Sequence, residues 1–240
     1  MAIFQNLIIT GRPACGKSEF IDFLKKVPVS ERTEKYHIGN FKEEDDFPWL
    51  WKLSEEDDKL EKQGKPRLYT RHVPEGFEIT KPTLRGDFFG KMNDVISEKY
   101  LQDPSFYKEN TLLIEFARGK GDGFKRSLEK LSPEILKMSA ILHILVSFKE
   151  SFRKNDARYK KGLESSILSH KVPDKDMNEY FLENDWLDIT QNKPHGDLAI
   201  NGVNVPFLTV NNEPELTDPV ALEKRFMPAL EKLMELYSNK

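Results

Sequence analysis

A single cysteine, Cys15, stands in 240 residues. That excludes a disulfide framework within the chain and suits a reducing compartment. Net charge is almost absent as well: 37 Lys and Arg against 40 Asp and Glu leave -3. Nothing global therefore suggests wrapping a nucleic-acid backbone or lying on an anionic membrane. No segment approaches the roughly 20 apolar residues of a membrane-spanning helix. The opening stretch Met1-Ala2-Ile3-Phe4-Gln5-Asn6 lacks the basic region and cleavage signal of a secretory leader. Internal repeats and low-complexity tracts are missing too. The five histidines form no zinc pattern, and one cysteine supplies no metal cluster. The expectation is a soluble cytoplasmic protein, monomer or homodimer, with neither nucleic acid nor membrane as partner.

What is present is core material. Hydrophobic residues make up 38 %, and 16 Phe, 7 Tyr and 3 Trp are too many for a disordered chain. The length exceeds the roughly 100–150 residues of a typical domain and falls short of two, so one domain over residues 1–240, enlarged by insertions, is expected. Short apolar runs at Leu7-Ile8-Ile9, Leu112-Leu113-Ile114, Ile141 to Val146 and Pro206 to Val210 suit strands buried on both faces, as in a parallel sheet. A weaker run, Tyr36-His37-Ile38-Gly39, lies between the first two. Helical periodicity fills the gaps. Phe88, Met92, Val95, Ile96 and Tyr100 share one face, as do Leu222, Phe226, Leu230, Leu233 and Tyr237. Asp218-Pro219 has the form of a helix start. Asn201-Gly202 predicts a tight hairpin turn between residues 198 and 205. Strands alternating with helices give an α/β fold.

The strongest motif is Gly11-Arg12-Pro13-Ala14-Cys15-Gly16-Lys17-Ser18, which satisfies G-x-x-x-x-G-K-[ST]. Glycines let backbone N–H groups converge on phosphate oxygens, and the following helix adds its unpaired N–H groups and positive dipole end. Lys17 would reach the β- and γ-phosphates and the Ser18 hydroxyl would ligate Mg²⁺. Glu19 is counted with the loop. An apolar strand precedes the motif, and Phe20, Ile21 and Leu24 follow at helical spacing.

With this loop in this setting, the chain resembles the P-loop NTPase superfamily, and its layout is similar to the nucleoside and nucleotide kinase group. The resemblance implies a three-layer α/β/α fold on a five-stranded parallel sheet ordered 2-3-1-4-5. It further implies an acceptor-binding insertion after the second strand, here about 41–105, and an Arg-bearing lid after the fourth, about 149–195. ATP and Mg²⁺ are the implied cofactors. Thr111-Leu112-Leu113-Ile114-Glu115 takes the place of the superfamily's strand-end acid, which would hold Mg²⁺ through water or accept the acceptor's proton. Arg118 follows three residues later as a phosphate or substrate contact.

After the fourth strand, the helix from Lys149 to Lys161 sets Lys154, Arg158 and Lys161 on one face. Arg153 and Arg158 are the candidates for closing over the transferred phosphoryl group, since a guanidinium binds phosphate oxygens bidentately. In the acceptor region, Asp45 and Asp46 are candidates for contacting the acceptor hydroxyl, with Asp46 equally placed to cap the helix bearing Trp49. Trp49 and Trp51 would stack on a ring or simply join the core. Arg67, Arg71 and Arg85 would suit an anionic acceptor. Cys15, at a helix N-terminus, predicts a lowered thiol pKa and inactivation by thiol reagents. The segment Val210-Asn211-Asn212-Glu213-Pro214 corresponds to the stretch that borders adenine. Asn192-Lys193-Pro194-His195 lacks the acid of the guanine motif, which favours ATP over GTP. The expected activity is transfer of the γ-phosphoryl group of ATP to a small molecule. The alternatives are a nucleotide-dependent ATPase or switch that binds a partner, and a fold that binds nucleotide without turnover.

Overall fold

β1 (Asn6–Gly11) is buried along its whole length, as a continuously apolar run must be when sheet lies on both sides of it. The computed structural model describes residues 2–81, 84–161, 171–216 and 218–239. Residues 162–170 of the expected lid lie outside the described residues, and so does the side chain of Lys161. From β1 the chain turns through the phosphate loop into α1 (Lys17–Lys26), then α2 (Val29–Tyr36), the edge strand β2 (Asn40–Asp45) and α3 (Phe47–Lys62). A two-stranded hairpin follows, β3 (Thr70–Val73) and β4 (Gly76–Ile79), and then α4 (Leu84–Ile96). β5 (Asn110–Ala117), α5 (Phe124–Leu128), α6 (Pro133–Lys137), β6 (Ser139–Leu145) and α7 (Phe148–Lys161) come next. Two short turns of helix, α8 (Asp174–Asp176) and α9 (Trp186–Ile189), lead to β7 (His195–Ile200), β8 (Val203–Asn211) and α10 (Pro219–Ser238).

The main sheet has six strands, not five, in the order β2-β5-β1-β6-β8-β7. The whole-sheet order thus departs from the expected 2-3-1-4-5. The difference has a local cause: the Asn201-Gly202 turn, with φ of 49° and 76°, folds β7 back antiparallel onto β8 as a sixth, outer strand. The other strands pair parallel throughout.

Side chains alternate across the sheet and divide the core in two. Leu7, Ile9, Leu142 and Ile144 pack against Phe20 and Leu24 of α1 and Phe226, Leu230 and Leu233 of α10. On the opposite face Ile8, Ile114 and Phe116 meet Phe89 and Met92 of α4, Phe124 of α5 and Trp186. The Asp218 carboxylate accepts a hydrogen bond from Ala221 N (2.8 Å) and so caps α10. The run at residues 36–39 is not the second strand. Tyr36 ends α2 and Ile38 plugs the core, while β2 itself carries Lys42, Glu43 and Glu44, the charged composition of a protected sheet edge. Buried Arg32 fixes this corner by donating to Gly39 O (2.9 and 3.0 Å) and Leu24 O (2.9 Å). All five parallel strands consequently end on one edge, where α/β proteins build their sites.

Candidate active site

The phosphate loop is shaped by backbone conformations that side chains resist. Gly16 precedes α1 at φ 107°, and a Cβ there would lie 2.3 Å from Asn212 Nδ2. Asn212, at the end of β8, donates that same nitrogen to Cys15 O (2.9 Å) and accepts from Arg225 Nη1 (2.7 Å). From the other side Ser151 Oγ of α7 donates to Pro13 O (2.7 Å). The loop is therefore braced by β8 and α7 before any ligand arrives. Arg12 reaches Phe181 O.

Lys17 is buried. Its ammonium donates to Arg12 O (3.2 Å) and lies 3.9 Å from Glu115 Oε1. Strand register supplies the acids: Glu115 of β5 stands beside Ile9 of β1 and beside Asp45 of β2. The two carboxylates thus share one corner with one lysine. Burial pushes Glu115 upward against the pull of Lys17. Burial, reinforced by the negative charges of Glu115 and Asp46, pushes Asp45 up to about 8. Asp45 accepts a hydrogen bond from Phe47 N (3.0 Å).

A cavity of about 340 Å³ opens from this corner, lined at one end by Pro13, Ala14, Lys17 and Ser18 and reaching past Asp45 and Glu115 to α3, β4 and residues 171–181. Its far walls are apolar, with Phe47, Leu50, Phe77, Ile79 and Phe181 among them. A chamber of this size suits a small metabolite.

The structure sorts the remaining candidates. Asp46 does not cap α3 through its side chain. It is buried in an ion pair with Arg118 (2.6 Å). Arg118, 1 % exposed, also donates to Ser127 Oγ (2.8 Å) and Ala117 O (2.7 Å), so it is a fixed strut of the chamber wall. Arg85 lines the chamber but is held by Asp176 (2.8 Å) and lies over the Tyr180 ring at 4.2 Å. Arg158 lines it too, paired with Glu19 (3.1 Å).

Other expectations need correction. Trp49 packs on Phe88 away from the chamber, because the twist of α3 turns it toward α4. Trp51 sits against Phe77. Arg71 pairs with Glu78 across the hairpin and faces a separate cleft. Arg153 is half-exposed and held by Glu150 (2.6 Å) and Glu215 (3.3 Å) rather than turned to the loop. Arg67 is likewise structural: it lies within 2.5–3.2 Å of Asp58, Glu61 and His72, the one group of metal-capable side chains among the described residues, and fills it as a fixed cation. Cys15 is fully buried, which raises its thiol pKa despite nearby Lys17 and Lys154. The lowered pKa expected from its helix N-terminus is overruled by desolvation.

Sequence reasoning passed over Lys154 and Asn212 as site residues. Lys154 Nζ is buried 2.9 Å from Glu215 Oε1, without the angles of a hydrogen bond. It lies 3.7 Å from where a Cβ on Gly16 would be. Only its place among the cations of α7 hinted at this. Asn212 carried no signal beyond following the last apolar strand.

No family model matches the chain, and no curated protein matches it. Solved structures do overlap it. APE1195 is 11% identical, with 99% of each chain covered and a TM-score of 0.45. A sugar kinase from Janibacter sp. HTCC2649 is 11% identical over 95% of this chain and 94% of that one, at 0.43. Chaetomium thermophilum Kti12 in complex with ADP-AlF3 is 10% identical over 97% and 98%, at 0.48. With every TM-score below 0.5, neither architecture nor activity follows from these overlaps. A largely parallel sheet, with a glycine-rich phosphate loop joining its central strand to α1, is the α/β arrangement that the resemblance to P-loop NTPases implies. No described helix is long and apolar enough to cross a membrane.

Proposed function

We propose that the protein binds Mg·ATP at residues 11–18 and transfers its γ-phosphoryl group to a small molecule held in the adjoining chamber. The chamber itself carries this proposal. A protein that only hydrolysed or sensed nucleotide would have no need of an apolar-walled compartment opening directly onto its phosphate loop and acid pair.

The roles follow from position. The N–H groups at the start of α1, with Lys17, would hold the phosphates. Ser18 and Glu115 would hold Mg²⁺: hydroxyl and carboxylate oxygens are the hard donors this ion takes, and strand register sets the carboxyls of Glu115 and Asp45 side by side near a single lysine. When bound, the ion would neutralise phosphate oxygens. Asp45, at about 8, is matched to accept the proton of an acceptor hydroxyl near neutral pH. On α7, Arg158, which lines the chamber, and Lys154, which lies beside Gly16, are the cations placed to cover the phosphoryl group. Excluding water from the chamber would favour the acceptor over hydrolysis.

Isothermal titration with Mg·ATP, followed by ADP release in the presence of nucleosides, sugars and other hydroxyl compounds, tests the proposal. The expected result is binding that Lys17→Ala abolishes and release that an acceptor stimulates. Slow release independent of every acceptor would favour an ATPase or switch instead.

A further inference from the structure

Five cationic side chains line the chamber, which at first sight invites an anion. Each of them, however, already faces a carboxylate: Lys17 with Glu115 (3.9 Å), Arg85 with Asp176 (2.8 Å), Arg118 with Asp46 (2.6 Å), Arg158 with Glu19 (3.1 Å) and Lys171 with Asp174 (2.6 Å). Three of these pairs are dry, Lys17 with Glu115 among them at 7 % and 15 %. Arg118 and Asp46 are 1 % and 8 % exposed at the side chain, and Arg85 and Asp176 9 % and 18 %. Removing one partner from a buried pair strands the other's charge, so the buried guanidiniums of Arg85 and Arg118 are already charge-compensated and offer an incoming phosphate or carboxylate far less than a free cation would.

Among the described residues, Asp45 is the one chamber carboxylate without a cation within 4 Å. An anion brought to Asp45 would find no cation there to receive it. A hydroxyl, in contrast, finds a carboxyl that no cation holds and that can either accept or donate a hydrogen bond. The rest of the wall, from Phe47, Leu50, Phe77, Ile79, Pro173 and Phe181, offers apolar surface to the body of the molecule.

We infer that the acceptor is uncharged: a hydroxyl carried on an apolar or aromatic body, with phosphorylated and carboxylated molecules excluded. This rests on the phosphotransfer proposed above. In the corresponding step the acceptor oxygen forms a bond to the γ-phosphorus and the bond from that phosphorus to the bridging oxygen breaks. The bonding pair leaves with ADP, and the hydroxyl proton passes to Asp45. The structure thereby argues against the anionic acceptor that Arg67, Arg71 and Arg85 suggest in the sequence.

The test uses the full chain with excess Mg·AMPPNP on the phosphate loop, so that added anions are barred from it. Saturation-transfer NMR then compares three matched pairs: benzyl alcohol and benzyl phosphate, uridine and its monophosphate, ribose and ribose 5-phosphate. The neutral member should bind at least about tenfold tighter within the aromatic pair. Asp176→Asn, which frees Arg85, should shrink that gap about tenfold. A charged member binding as well as or better than its neutral partner overturns the inference, and so does the absence of binding by every neutral member. Calorimetry on the same sample reports separately whether Mg·AMPPNP binds. Its failure would sink phosphotransfer, and the chamber's preference for charge would then be read from the change that Asp176→Asn makes, since that substitution alters Arg85 and leaves the loop as it was. Should Asp176→Asn not fold, Asp176→Ser provides the same release of Arg85.

Discussion

Asp45→Asn should make the ligand-free protein more stable at pH 8 and leave it nearly unchanged at pH 4. In the folded chain, burial and the neighbouring acids hold the Asp45 proton up to about pH 8. In the unfolded chain the same group releases it near its ordinary 3.8. Between those values the native state binds more protons than the unfolded one, so stability falls as pH rises. Asparagine has no proton to release and escapes the loss. A displacement of about four pH units corresponds to a ceiling of about 6 kcal/mol at about 1.4 kcal/mol per unit. The cavity admits water to this corner and Lys17 stands near it, so about 2 kcal/mol between pH 5 and pH 8 is the working expectation. Urea unfolding of both proteins at pH 5, 6.5 and 8, without nucleotide, measures the difference directly. A difference that stays flat with pH, or an Asn variant weaker than wild type at pH 8, would refute the argument.

Other perturbations follow from the same geometry. Arg118→Met leaves Asp46 as a lone buried charge and should cost about 3–5 kcal/mol in urea unfolding, much of it regained in the double variant with Asp46→Leu. Gly16→Ala places a methyl 2.3 Å from Asn212 Nδ2 in a backbone conformation unsuited to it, and should weaken Mg·ATP binding at least about tenfold in calorimetry. Cys15, buried and with its thiol pKa raised, should react with thiol reagents at least about a hundredfold more slowly in native protein than in urea. Equal rates would show the loop to be open.

The parts of this molecule that sequence reveals are those whose cause is local. The phosphate loop, the strand before it and the helix after it are fixed by glycine, lysine and apolar residues within twenty positions. The same holds for Asn201-Gly202 and for the Asp218 cap. Strand β2 escapes such an approach because an edge strand is allowed to be charged, and the apolar signal nearby belongs to Tyr36 and Ile38, which serve the core. The site cations escape it for another reason. A sequence shows that arginines are present but not which carboxylate each one meets: Asp46 and Arg118 are 72 positions apart and Arg85 and Asp176 are 91 apart. Trp49 shows the converse. Its neighbours in sequence line the chamber, yet one step around the helix sends its ring to the opposite side.

Asp57, buried in α3, gathers Leu68 N, Tyr69 N, Thr70 N and Thr70 Oγ onto its two oxygens at 2.7–3.0 Å. That cluster of donors rivets the β3–β4 hairpin to the helix that supplies Phe47 and Leu50. Phe77 and Ile79, on the hairpin's far strand, must then travel with them. Any gate that admits a molecule to the cavity would swing as one panel comprising helix and hairpin, pivoting where Asp46 is moored to Arg118, rather than as a loop peeling open residue by residue.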